Sequence, residues 1–255
     1  MTKRALGRRV LAPLSHLVLS VLVASLVAWL VFGLWYPAPF DVVAGGTGLF
    51  FLIVSVDVCL GPALTAVIAA PGKPQAEFRR DLLIIVLVQL AGLGYGLYSL
   101  SLARPVVLAY EIDRFRVVTA VDVDDKSLAD APPELRSLSW TGPRVIAAVK
   151  PTDPTEQLRS IELGLAGVDL SAVPRNWRPY DGHRAEAWRA ARPIDVLLGK
   201  YPGLRGAVEG LAAARAKPLG ELRFMPLLSR RVSWSVILAA PDASVVGYVP
   251  VDAFF

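Results

Sequence analysis

The chain has 255 residues, 54% apolar and 19% charged, against roughly 45–50% and roughly 25% in soluble globular proteins, and this composition excludes disorder. A single cysteine, Cys59, rules out an intrachain disulfide and a multi-cysteine metal site, and two histidines make no His-rich cluster in its place. No cofactor is implied, and the net charge of +5 matters less than where the charges fall.

Residues 10–40 carry no Lys, Arg, Asp or Glu, residues 42–72 carry only Asp57, and residues 82–103 carry none. Crossing a bilayer takes about 20 apolar residues at about 1.5 Å rise each. The pattern predicts three transmembrane helices, over about 12–34, 47–70 and 82–103, in a membrane domain of residues 1–103. The lipid bilayer is the first partner. A cleavable signal peptide would have an apolar core of only about 7–15 residues. Here the core runs over 14–34 without a small-residue cleavage site, so the first span reads as an anchor.

Lys3, Arg4, Arg8 and Arg9 precede the first span, and Lys73, Arg79 and Arg80 lie between the second and third, whereas the loop 35–46 has only Asp41. Basic flanks stay in the cytoplasm. The amino terminus is therefore expected inside, with residues 104–255 exported, to the periplasm in a bacterium. Trp35 and Tyr36 fit the aromatic belt at the outer end of the first span. Residues 104–255 hold 20 Lys and Arg against 18 Asp and Glu, well mixed, so nucleic-acid binding lacks its electrostatic support.

Polar residues inside the spans are few. Asp57 lies about 13 residues, or about 20 Å, from the cytoplasmic end of the second helix, a depth at which a carboxylate costs about 2.5–3.5 kcal/mol. It should face protein or be protonated. Counting the same depth into the third helix reaches Tyr95, whose hydroxyl is placed to donate to it, with His16 and Gln89 at a shallower level. One carboxylate without a charged partner is a poor proton or ion pathway, which favours a structural interhelical hydrogen bond. Pro62 has no N–H for the carbonyl of Val58, so with Gly61 it predicts a kink beside Asp57. Gly92 and Gly96, with Gly94 between, offer a smooth face for close helix packing, against an internal helix or another protein. A dinucleotide loop is excluded there, because no strand precedes the glycines and phosphate does not sit in hydrocarbon.

The exported domain, 104–255, opens with strands predicted at 106–111 and 115–123, joined by a turn at Asp113 and Arg114. A loop follows over 124–145, with a strand-like stretch at 145–149. Asp153, Pro154 and Glu156 start a helix whose apolar face is Leu158, Ile161 and Leu165, ending at Gly167. Helices at 183–191 and 203–216 come next. Strands at 221–228, 232–240 and 245–251 close the chain, with Pro241 and Asp242 in the last turn. The fold class is an integral membrane protein, three transmembrane α-helices followed by a small α+β extracytoplasmic domain.

No nucleophile elbow, zinc-binding motif or P-loop is present, and His183 beside Asp181 reads as a surface imidazole at a turn. Trp177, Tyr180 and Trp188 form an aromatic group suited to core packing or to holding a partner peptide or sugar.

As a set, several motifs resemble the type IV pilin accessory proteins (TfpX/TfpZ-like). These are WYPAPF at 35–40, GGTGLFFLIVSVDVCLGPALT at 45–65, Lys73 with Arg80 and Asp81, Gln89 ahead of Tyr95 and Gly96, and ARPVVLAYEIDRFRVV at 103–118. The closing stretch from Leu222 is similar too, so the resemblance covers nearly the whole chain; residues 125–200 match least. It implies a non-enzymatic inner-membrane factor that assists type IV pilus assembly by acting on the pilin. On that reading Asp57, Gly61, Pro62, Gly92, Tyr95 and Gly96 would meet the pilin helix, and the exported strands or the Trp177 region its head. The competing class is a membrane-anchored periplasmic enzyme or ligand-binding sensor; a small transporter would need more polar residues within its three helices.

Overall fold

A computed structural model describes residues 3–69 and 73–255. Residue 70, the expected end of the second span, lies outside them, as do the side chains of the basic residues expected before the first. The chain divides into two compact units, Met1–Ala103 and Arg104–Phe255.

Three helical stretches in the first unit are long and apolar enough to cross a membrane: Val10–Trp35, Gly46–Ile68 and Gln75–Ala103. The first is α1 (Lys3–Ala28), continuing as a π-helical segment, Trp29–Trp35. A short helix α2 (Phe40–Val43) turns the chain back. The second stretch is α3 (Gly46–Ser55), a π-helical segment Val56–Leu60, and α4 (Gly61–Ile68). The third is one helix, α5 (Gln75–Ala103). Most of their surface is apolar and exposed, as a lipid-facing bundle requires; the small core joins Val27, Val31, Tyr36, Phe50 and Leu100.

Tyr36 explains much of how the bundle closes. Its amide donates to the carbonyl of Val31 at 2.7 Å, five residues back, which ends the π segment. Its hydroxyl donates at 2.8 Å to the carbonyl of Leu100 in the last turn of α5. Its ring lies flat on Gly46, where any Cβ would collide with it.

The second unit is built on an eight-stranded mixed sheet. Strands β1 (Pro105–Glu111) and β2 (Arg114–Thr119) form a hairpin; β3 (Arg144–Ala148) runs parallel to β1, with β4 (Trp177–Pro179) on its outer edge. A second group comprises a two-residue β5 (Arg192–Pro193) and the meander β6 (Leu222–Leu228), β7 (Ser233–Ala239) and β8 (Ser244–Val249). Spatial order is β4-β3-β1-β2-β6-β7-β8, and the two groups meet through two pairs only, Phe115 with Leu227 and Arg116 with Leu228.

Four helices decorate the sheet: α6 (Pro154–Leu165), α7 (Arg184–Ala190), α8 (Ile194–Lys200) and α9 (Arg205–Ala214). Leu197, Leu198 and Val208 from α8 and α9 pack with Phe224 and Ile237 of the meander. A second core holds Val106, Val118, Ile146 and Trp177. The expected strand 115–123 stops at Thr119, because Thr119 and Asp122 form a capping box, with the Thr119 hydroxyl donating to Asp122 at 2.7 Å, and start a 3-10 turn. Within the expected loop 124–145 the chain makes two further 3-10 turns, Asp125–Asp130 and Pro133–Leu135.

Candidate functional site

Four polar residues of the membrane unit line a cleft of about 90 Å³ between the three spans. Asp57, Gln89, His16 and Ser20 line it among Leu19, Val23, Val86, Leu90 and Leu93. The local cause lies in the second span. With five-residue spacing in Val56–Leu60, the carbonyl of Asp57 faces Pro62, which has no N–H to give. Gln89 supplies the missing donor: its Nε2 donates to the Asp57 carbonyl at 3.1 Å. Gly61 makes room, since a Cβ there would overlap the Gln89 amide. Gln89 Oε1 is buried with no hydrogen bond of its own, so the cleft holds an acceptor as well as the Asp57 carboxyl. Nearby, His16 Nδ1 and Thr65 Oγ1 share a hydrogen bond of 2.6 Å that ties α1 to α4.

Three expectations need correction. Tyr95 does not meet Asp57: its side chain is 74% exposed on the outer face of α5, and Gln89 takes the place beside Asp57. The depth count assumed straight α-helices, whereas the π segment shifts the register of everything around Asp57. Gly92 and Gly96 do not share one packing face. Gly96 is buried under Ile53 of α3, where a Cβ would collide, while a Cβ on Gly92 would meet nothing within 4 Å. Trp177 is not a contact surface either, being 1% exposed in the core with its Nε1 donating to the Ser171 carbonyl at 2.8 Å.

Asp81, at the start of α5, pairs with Lys73 and with Arg80, the latter at 3.3 Å. In the second unit, Tyr180 donates to the Ala243 carbonyl at 2.8 Å and packs against Tyr110 and Phe115. Burial pushes the Tyr180 phenol well above its usual value and Tyr110 up to about 12, so both remain donors at any physiological pH. His183 pairs with Glu186 at 3.2 Å, and Arg184 bridges Asp181 at 2.8 Å and Asp242 at 3.4 Å. Among the described residues no three His, Cys, Asp or Glu side chains group to hold a metal ion.

A further signal concerns α6. Asp153 caps it, accepting from the amides of Thr155 at 2.9 Å and Glu156 at 3.1 Å, as its sequence predicts. Its apolar face is turned to solvent: Leu158 and Ile161 are each 60% exposed and Leu165 is 86% exposed. On its inward side Leu163 is half-buried, and Glu156 accepts from Arg175 Nη1 at 2.9 and 3.1 Å while Arg175 Nη2 reaches Asp130 at 3.1 Å.

Residues 4–45, the first span through Tyr36 and α2, match the family described as Fimbrial assembly protein FimB. A fimbrial assembly protein of serogroup I from Dichelobacter nodosus is 34% identical over 94% of this chain and 93% of its own length. The chain belongs to the fimbrial assembly protein family. The serogroup E1 protein of that organism is 32% identical over 94% of this chain and 93% of its own length. The protein of serogroups C1 and C2 is 42% identical over 42% of this chain and 82% of its own. No solved structure matches. Membership agrees with the resemblance to type IV pilin accessory proteins drawn from the motifs, several of which now have a structural reason: Tyr36 against Gly46 and Leu100, and Gly61 and Pro62 against Gln89.

Proposed function

We propose that this member of the fimbrial assembly family is a non-enzymatic inner-membrane factor of type IV pilus assembly that binds the pilin within the bilayer. Near-full-length similarity to fimbrial assembly proteins carries the assembly role. The membrane cleft supports the mode of action: it sets a carboxyl, a free amide oxygen and an imidazole among apolar walls, at a depth where lipid offers no hydrogen bonds. A partner helix with one polar side chain among apolar ones satisfies such a cleft better than acyl chains do. The basic residues Lys73, Arg79 and Arg80 support an orientation with the amino terminus and the second loop in the cytoplasm and residues 104–255 in the periplasm.

A photoreactive residue at position 90, where Leu90 is 58% exposed at the cleft rim, tests this reading. The expected result is an adduct with pilin in living cells, abolished by Asp57→Leu and retained by Asp57→Asn, which keeps the hydrogen-bonding side chain. Equal adducts from all three proteins at equal abundance would show that the polar cleft does not select the pilin.

A further inference from the structure

On α6 the half-buried residues are Glu156, Ser160 and Leu163, while Leu158, Ile161 and Leu165 lie exposed, so three of its four large apolar side chains face solvent. Leu158, Ile161 and Leu165 recur at helical spacing, all of them at least 60% exposed. A second, independent feature meets this stripe at Ile161. The β1–β2 hairpin closes with a two-residue turn, since Glu111 pairs with Arg114, and its first loop residue is Ile112 at φ 60°. That conformation favours glycine and disfavours a β-branched side chain. Tyr110 holds the strained residue in place, its hydroxyl donating to the Ile112 carbonyl at 2.9 Å. The strain presents an isoleucine side chain, 48% exposed, to one cleft of about 480 Å³ that Ile112 and Ile161 line together. Backbone strain held in place at a half-exposed apolar side chain is the kind that accompanies binding surfaces.

We infer that Ile112 and the outward face of α6 form a docking surface for the apolar face of a globular domain belonging to a partner anchored in the same membrane, the head of the pilin. This rests on the pilin-binding reading above. Charge argues against a lipid occupant: α6 carries Glu156, Arg159 and Glu162, a net of −1, and no Trp, Phe or Lys, whereas helices that lie on membranes are basic with aromatic anchors. Area argues against a free-standing dimer of this chain. Four aliphatic side chains cover roughly a few hundred Å², well short of the roughly 800 Å² per partner of a stable complex. A weak surface of this size is effective when a second contact tethers the same partner, because linked contacts reinforce each other. The two arms of such binding are the membrane cleft and α6.

The test uses the full-length protein in cells that make pilin, with a photoreactive residue either at position 162, beside the stripe, or at position 90, in the cleft. The expected result is a pilin adduct from both positions. Leu165→Glu and, separately, Ile112→Gly lower the adduct from position 162 by about tenfold. Ile112→Gly relieves the strain, so its thermal midpoint in detergent stays equal or rises while docking is lost, an outcome no purely structural role for Ile112 produces. A pilin adduct from position 90 with none from position 162 overturns the surface and leaves the proposed function standing. Adducts from position 162 to lipid or to a second copy of this chain overturn the assigned occupant. Pilin captured from neither position overturns both readings.

Discussion

The membrane unit turns Asp57, Gln89 and His16 toward its interior, as hydrocarbon demands, whereas the second unit turns an apolar stripe of α6 outward, which is unusual for a helix of a globular domain. In the spans, the Asp57 carbonyl freed by Pro62 is met by Gln89 and the Leu100 carbonyl by Tyr36, because hydrocarbon supplies no partner. In the second unit water would satisfy a polar face at no cost, yet α6 pairs a half-buried Glu156 with Arg175 and leaves Leu158, Ile161 and Leu165 outside. The contrast separates two kinds of exception. An inward polar group can be explained by the fold alone. An outward apolar stripe cannot, and it is the stronger pointer to a partner.

The largest effect that sharpens this comparison is expected from Trp177→Ala, which empties a core position and should cost the second unit about 3–5 kcal/mol. Thermal unfolding in detergent, followed by near-ultraviolet circular dichroism, reads it; a loss under 1 kcal/mol, by the order of magnitude for exposed sites, would return Trp177 to the surface. Next, Gly61→Leu should cost about 1–3 kcal/mol by driving a side chain into the Gln89 amide, while Gly92→Leu, where space is open, leaves stability unchanged. Equal effects of the two substitutions on unfolding in mixed micelles would erase the distinction between packed and open glycines. The smallest is Tyr36→Phe, which removes one buried hydrogen bond and should cost about 0.5–1.5 kcal/mol. Proteolysis of the α5 end near Leu100 should speed accordingly, and an unaltered rate would mean that Leu100 finds another donor.

The spans were legible because absence of charge over about 20 residues has few meanings. Asp57, Gly61 and Pro62 were legible as a polar break in the second helix, but the partner was not: a π segment of five residues is invisible to a count that assumes 3.6 per turn, and the count landed on Tyr95 in place of Gln89. The end of β2 had a signal that was passed over, Thr119 followed three residues later by Asp122. Helix α6 shows the limit of periodicity, which locates an apolar stripe and says nothing of which way it faces. Short elements such as α8 and β4 take their form from the sheet beside them, and no local pattern announces them.

The assembly role itself is tested most directly by deleting the gene in its pilin-producing host and measuring surface pili and membrane-held pilin separately. The account predicts that surface pili collapse while pilin persists in the membrane, and that the intact chain restores them. Normal piliation after deletion would contradict it.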